Sequence, residues 1–267
     1  MRTDGPKRII YYKDAANDDF AGTDIRTKTV DETFPFLPKS PFFRFFGWIA
    51  YYLIAIPLVH LFCFGFCGFR IRNKKALRAL NKTGYVLYAN HTHFSDAFLA
   101  PILAFPKRAY VIAGPDVVSI PGIRTLVQML GAVPIPQSVK AMPLFLQAIE
   151  AHTKDGACVG VFPEAHIWNY CTFLRPMHEA SFHYPVAMQL PAVAVAVTYQ
   201  KRKLPFLRTP RRTLYVSDPI WPDASLPRKE AQAKLSNEIR TFLEETISAY
   251  SDYAYYEYRP EPDTAES

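Results

Sequence analysis

The amino-acid sequence predicts an α/β fold in which a largely parallel central sheet is flanked by helices and preceded by a hydrophobic membrane-associating helical segment. Three observations carry this prediction. After Lys75, short apolar runs alternate with longer helical patterns, as βαβ units do. The run "AVAVAVT" at residues 192–198 is apolar on both faces, as a strand inside a parallel sheet must be. Residues 45–69, "FFGWIAYYLIAIPLVHLFCFGFCGF", contain no Asp, Glu, Lys or Arg.

Residues 1–40 mix both charge signs with Pro and Thr, which predicts a flexible N-terminal extension. No apolar core with a small-residue cleavage site appears there, so no signal peptide is expected. Residues 41–72 hold the hydrophobic segment, long enough for a helix to cross a bilayer, which takes about 20 apolar residues. Pro57, Gly65 and Gly68 predict a kink or a re-entrant turn, and Trp48, Tyr51 and Tyr52 suit a membrane interface. Arg70, Arg72, Lys74 and Lys75 follow directly and place the rest of the chain on the cytoplasmic side, with Arg44 on the other flank opposing them. A buried core helix is the competing reading of the same segment.

Residues 73–250 are expected to form one α/β domain, because 267 residues at 49% hydrophobic and 15% aromatic content suffice for a single sizeable core. Strands are predicted at 85–89, 108–113, 131–135, 157–162, 192–198 and 213–216, and helices at 97–104, 123–130 and 142–152. Ala231, Leu235, Ile239, Leu243 and Ile247 recur every four residues, the signature of an amphipathic helix packed on the sheet. Residues 251–267 read as a poorly constrained C-terminal tail.

A net charge of +7 suits phosphates, anionic lipid or nucleic acid. No helix-turn-helix, finger or RNP pattern accompanies the charge, so nucleic acid is not an expected partner. Cys63, Cys67, Cys158 and Cys171 show no CxxC spacing, which argues for a reduced, cytoplasm-facing enzyme without a zinc site.

The stretch "YVLYANHTHFSDAFLAPILA", residues 85–104, places two histidines and an aspartate directly after a strand-like run. In α/β proteins that strand end is where chemistry concentrates. His91 and Asp96 would stand about 140° apart on a helix, so they can meet only across a turn. A carboxylate on one ring nitrogen fixes the tautomer and leaves the other nitrogen to take a proton from a hydroxyl. That is half of a Ser-His-Asp triad with no protein nucleophile. His91 and His93 as a metal pair lack an evident third ligand. Asp96 as a helix cap beside a loop histidine is the plainer alternative.

Residues 90–96, "NHTHFSD", resemble the NH-x4-D motif of the glycerolipid acyltransferases, the 1-acylglycerol-3-phosphate acyltransferase family. Residues 161–170, "VFPEAHIWNY", resemble that family's second signature, usually FPEG followed by Ser or Thr and then Arg. "RPMHEASF" at 175–182 and "LPAVAVAVTY" at 190–199 are similar to the stretches that follow it. The resemblance implies His91 as general base for an acceptor hydroxyl and Asp96 as its partner. Glu164, His166 and Arg175 are the expected substrate-binding residues, while Trp168 and Tyr170 read as packing.

The chain departs from the pattern at Ala165, His166 and Ile167, where the family's Gly, Ser or Thr, and Arg would stand. The middle motif, "GAVPIPQS", lacks the usual acid and Arg. This marks a subgroup with PEAH, whose acceptor phosphate would be met by Arg175, Lys201, Arg202 or Lys203, each also readable as a solvated surface charge. The implied reaction moves a fatty acyl group from a thioester to a lysophospholipid hydroxyl, first of all that of 1-acyl-sn-glycerol-3-phosphate, in phospholipid biosynthesis. Other lysophospholipid or glycolipid acceptors, a hydrolase or transacylase, and a non-catalytic lipid-binding relative are the alternatives. Membrane lipid and an acyl donor, acyl-CoA or acyl carrier protein, are the expected partners, with no cofactor and no metal.

Overall fold

The computed structural model of the protein describes residues 6–20, 27–120, 122–202 and 209–262. A seven-stranded sheet forms its centre, built from β2 (Arg70–Arg72), β3 (Tyr85–Ala89), β4 (Ala109–Ala113), β5 (Ala132–Pro134), β6 (Cys158–Val161), β7 (Ala192–Gln200) and β8 (Arg211–Val216). Its order is β2-β8-β7-β3-β6-β4-β5. β3 to β7 run parallel, while β8 is antiparallel to β7 and carries β2 along with it. All residues of β3 and β7 are buried, as two-faced apolar runs require.

The two faces are covered differently. On one, α4 (Met142–Lys154), α5 (His183–Met188) and α6 (Arg228–Tyr250) pack with Val86, Val159 and Ala194. α6 buries all five residues of its predicted stripe. On the other face, α2 (Leu99–Ala104) covers Leu87, Val195 and Val197. α3 (Arg124–Met129) precedes edge strand β5. The chain enters β3 hard against the end of α4 at Gly84, where a Cβ would fall 2.1 Å from the carbonyl oxygen of Thr153. Only glycine fits that approach.

The hydrophobic segment is one continuous helix, α1 (Pro41–Phe66), long and apolar enough by length and composition to cross a membrane. It winds wider than an α-helix over Ile49–Ala55 and Leu61–Phe66, on either side of the stretch Ile56–His60, which contains Pro57, whose ring lacks the N–H of a regular ladder. α1 docks lengthwise on the domain. Tyr51, Ile56 and Cys63 are buried, Gly47 faces Met129, and the Tyr51 hydroxyl accepts from the Ala109 N–H at 3.0 Å. Phe42, Phe45, Trp48, Leu53, Leu58, Leu61 and Phe66 are each more than half exposed on its other side. A fully buried core helix is therefore ruled out.

Both ends of the chain differ from the sequence expectation. Residues Arg8–Tyr12 (β1) and Tyr256–Pro260 (β9) pair in parallel as a separate two-stranded ribbon, in place of a free extension and an unconstrained tail. Aromatic burial holds them there. Tyr258 stacks on Trp168 with ring centroids 4.8 Å apart, and Tyr12 and Phe20 pack on the same indole. Val30, Phe34 and Phe36 enter the main core beside Phe145. Predicted extension and tail both lack local periodicity, and their order comes from partners far away in the chain.

Candidate active site

The chain leaves β3 toward the α2 face and β6 toward the α5 face, although the two strands are neighbours. Connections that diverge in this way open a crevice at the C-terminal strand ends. His91 and Glu164 both lie there.

Asn90 closes β3 with its side chain. Its Oδ1 accepts from the Val197 N–H at 2.8 Å and its Nδ2 donates to the Val197 carbonyl at 3.1 Å, so the amide stands in for a further backbone pair with β7. The chain is then free to turn. Residues Phe94–Phe98 form a short helical turn capped by His93, with Asp96 three residues on. Asp96 is fully buried, and its Oδ2 accepts from the N–H groups of Thr92 at 2.6 Å and His93 at 2.7 Å. The same oxygen meets His91 Nδ1 at 3.3 Å. His93 is thus the N-cap, where the sequence offered Asp96, while Asp96 closes the capping box from the third helical position and also partners the imidazole.

The His91 ring is 14% exposed and stacks on Phe162, with centroids 4.3 Å apart at 18°. With Nδ1 on Asp96, Nε2 is the nitrogen available to a substrate hydroxyl. His93 turns inward, where its Nδ1 accepts from the Ser95 N–H at 3.2 Å. Burial, reinforced by Arg212, pushes His93 down to about 4, so it is neutral at physiological pH.

The loop after β6 grips this turn from the side. Glu164 Oε2 accepts from the His91 N–H at 2.9 Å, and Oε1 accepts from the Arg175 N–H at 3.0 Å. Arg175 Nη2 pairs with Glu164 Oε2 at 3.0 Å and also donates to the His166 carbonyl. Burial lifts the Glu164 carboxyl above the ordinary range, opposed by the Arg175 guanidinium and these two N–H groups. Trp168 and Tyr170 donate their N–H groups to the carbonyls of His91 and Thr92, at 3.2 and 2.8 Å.

A family model described as "Acyltransferase" matches residues 68–198, a stretch containing both loops. That segment, 131 of the 267 residues, is similar to the acyltransferase family. The structure is also similar to the 1-acyl-sn-glycerophosphate acyltransferase PlsC of Thermotoga maritima, with a TM-score of 0.54 and 18% identity over 74% of this chain and 81% of that one. At this identity the likeness concerns the fold. No curated protein matches the chain by sequence.

The expected phosphate ligands are placed differently from the sequence expectation. Arg175 has no exposed side-chain surface and lies behind Glu164, with its guanidinium over the Trp168 ring, so it braces the loop where contact with substrate was expected. Arg202 donates to the carbonyls of Phe66 and Cys67 at 3.0 and 2.7 Å and so caps the end of α1. His166 is partly exposed beside Asp19, with Nδ1 3.5 Å from Oδ2. Lys201 follows β7, and Lys203 lies outside the described residues. Burial in the aromatic cluster accounts for Trp168, whose Nε1 donates to the Asp18 carbonyl at 2.8 Å.

One site residue escaped the sequence reading. Arg212 on β8 is buried and donates from Nη1 to Ser95 Oγ at 2.6 Å, 3.7 Å from Asp96 Oδ1. It stands 116 positions after Asp96, in a strand with no motif of its own. The available signal was a pair of arginines inside a strand whose other positions are apolar or Thr, an expensive choice unless a buried acid waits for one of them.

Proposed function

We propose that the protein is a membrane-associated O-acyltransferase that moves a fatty acyl group from an acyl thioester to the free hydroxyl of a lysophospholipid. 1-acyl-sn-glycerol-3-phosphate is the foremost acceptor, giving phosphatidic acid. The observation that carries this reading is the 3.3 Å contact of His91 Nδ1 with buried Asp96 inside the family-matched segment.

In this scheme His91 Nε2 takes the proton as the acceptor oxygen attacks the thioester carbonyl. The tetrahedral adduct then collapses, the C–S bond breaks, and the imidazolium returns its proton to the departing thiolate. The thioester is already activated, so neither a covalent enzyme intermediate nor a metal is required. Asp96 holds the Nδ1–H tautomer and stabilises the transient imidazolium.

Membrane association rests on the exposed apolar side of α1. Its C-terminal end reaches the catalytic turn, with the Phe62 ring 6.1 Å from Phe94 and 6.3 Å from Phe98. An acceptor held in a leaflet would thereby meet His91 without leaving its lipid surroundings. On the other loop the partly exposed His166 is left to meet substrate while buried Glu164 fixes the His91 backbone, and the catalytic domain faces the cytoplasm in this reading, with acyl-CoA or acyl carrier protein as donor.

The test is transfer of labelled acyl groups from acyl-CoA, and separately from acyl carrier protein, to a panel of lysophospholipids and glycolipids. Transfer to lysophosphatidate that disappears in His91→Ala is the expected result. Folded protein with no transfer from either donor to any acceptor overturns the proposal, and thioester hydrolysis without an acceptor points to the hydrolase instead.

A further inference from the structure

A second group of arginines sits at the far edge of the sheet, on the face opposite Asp96. There a cavity of about 200 Å³ is lined by Arg70, Arg72, Gln200, Arg211, Thr213 and Asp252. Strand register explains the cluster. Arg211, Thr213 and Tyr215 alternate onto one face of β8, with Gln200 opposite Arg211, Arg70 opposite Thr213 and Arg72 opposite Tyr215. Arg212, between them, points to the other face and serves Ser95 and Asp96.

The polar walls are already fixed. Gln200 accepts from Thr213 Oγ1 at 2.6 Å and donates to the Tyr250 carbonyl at 2.7 Å, while Tyr215 stacks on Tyr250 with centroids 4.3 Å apart. The arginines are not similarly engaged. Among the described residues, Arg70, Arg72 and Arg211 form no ion pair, even with Asp252, and the buried Nε of Arg211 has no hydrogen-bond partner. Like charges on neighbouring strand positions repel, and a buried donor without an acceptor is costly. An anion with several acceptor oxygens removes both penalties at once.

We propose that this cavity between β2, β8 and the end of α6 is a binding site for a phosphate group, separate from the His91 crevice. Planar guanidinium forks match phosphate oxygens bidentately, and three of them around rigid walls outweigh the single carboxylate of Asp252. The phosphate could belong to a lipid headgroup, to a nucleotide-bearing thioester donor or to a free ion. The inference stands whether or not the transfer reaction is as proposed, because it concerns binding alone.

The test is titration calorimetry of the full chain in detergent with inorganic phosphate, glycerol 3-phosphate and coenzyme A as separate probes, together with flotation on phosphatidylcholine vesicles with and without phosphatidic acid. All arms are run in a His91→Ala background, which removes turnover so that binding alone is read, and the arginine variants separate this cavity from the His91 crevice. At least one probe is expected to bind, about tenfold or more weakly in Arg70→Gln/Arg72→Gln, since charge-assisted bonds are lost. Asp252→Asn should tighten the same probe, a gain that misfolding cannot produce. The probe that responds identifies the source of the phosphate. Absence of binding by every probe, or equal binding with and without the double arginine substitution, overturns the proposal.

Discussion

The turn after β3 and the loop after β6 each carry a buried carboxylate, and the two are used in opposite ways. Asp96 receives two N–H groups of its own turn and presents one oxygen to His91, whose ring reaches the surface. Glu164 is spent on a backbone N–H of each loop and on an arginine with no exposed surface. One acid is aimed outward through an imidazole; the other joins two loops. Two acids at one sheet edge therefore do not make two catalytic acids, and the hydrogen bonds decide which is which.

The largest expected effect breaks the first loop without unfolding it. His91→Ala should lower acyl transfer by about 100-fold to 10,000-fold, the usual contribution of a general base, while the thermal midpoint stays near wild type. Rates and melting curves on the same preparation check both halves.

The converse holds for the second loop. Arg175→Met leaves Glu164 buried without its counter-charge and should cost about 3–5 kcal/mol of stability, read from denaturant unfolding. Arg175→Met with Glu164→Gln should recover part of that loss. A variant with normal stability and abolished transfer would instead put Arg175 among the substrate contacts.

A smaller effect depends on pH. Burial pushes His93 and, on α4, His152 down to about 4, the latter with its ring stacked on Tyr110. Between pH 4 and the unfolded value near 6.5, the unfolded chain binds more protons than the folded one. Stability is therefore complete above about pH 6.5 and is lost as pH falls toward 4. Urea midpoints across this range should fall with acidification, and His93→Gln should flatten the slope by up to one proton.

The smallest effect concerns Ala165, which holds φ = 62° where the resembled signature has glycine. An L-residue there costs about 1–2 kcal/mol, partly offset by the extra freedom glycine gives the unfolded chain. Ala165→Gly should therefore stabilise the protein by roughly 0.5 kcal/mol, seen as a higher urea midpoint with an unchanged slope. It would sharpen the contrast, because of the two loops compared the bracing one carries the left-handed non-glycine residues, Ala165 and Tyr170.

The sequence by itself determined what depends on neighbours a few residues apart. Two-faced apolar runs marked the buried strands, a four-residue period marked α6, and an uncharged stretch marked α1. The spacing of His91 and Asp96 required a turn, and the structure has one. Tertiary structure decided the rest, because those contacts join residues whose local patterns carry no trace of one another. Arg212 reaches Ser95 across 117 positions, Glu164 reaches the His91 N–H across 73, and Lys7 meets Tyr255 across 248. It likewise turned Arg175 from an expected substrate ligand into a buried brace and showed which side of α1 the domain covers. A charge or an aromatic ring has no preferred place until the fold supplies its partner, since burial without one is penalised and burial with one is not.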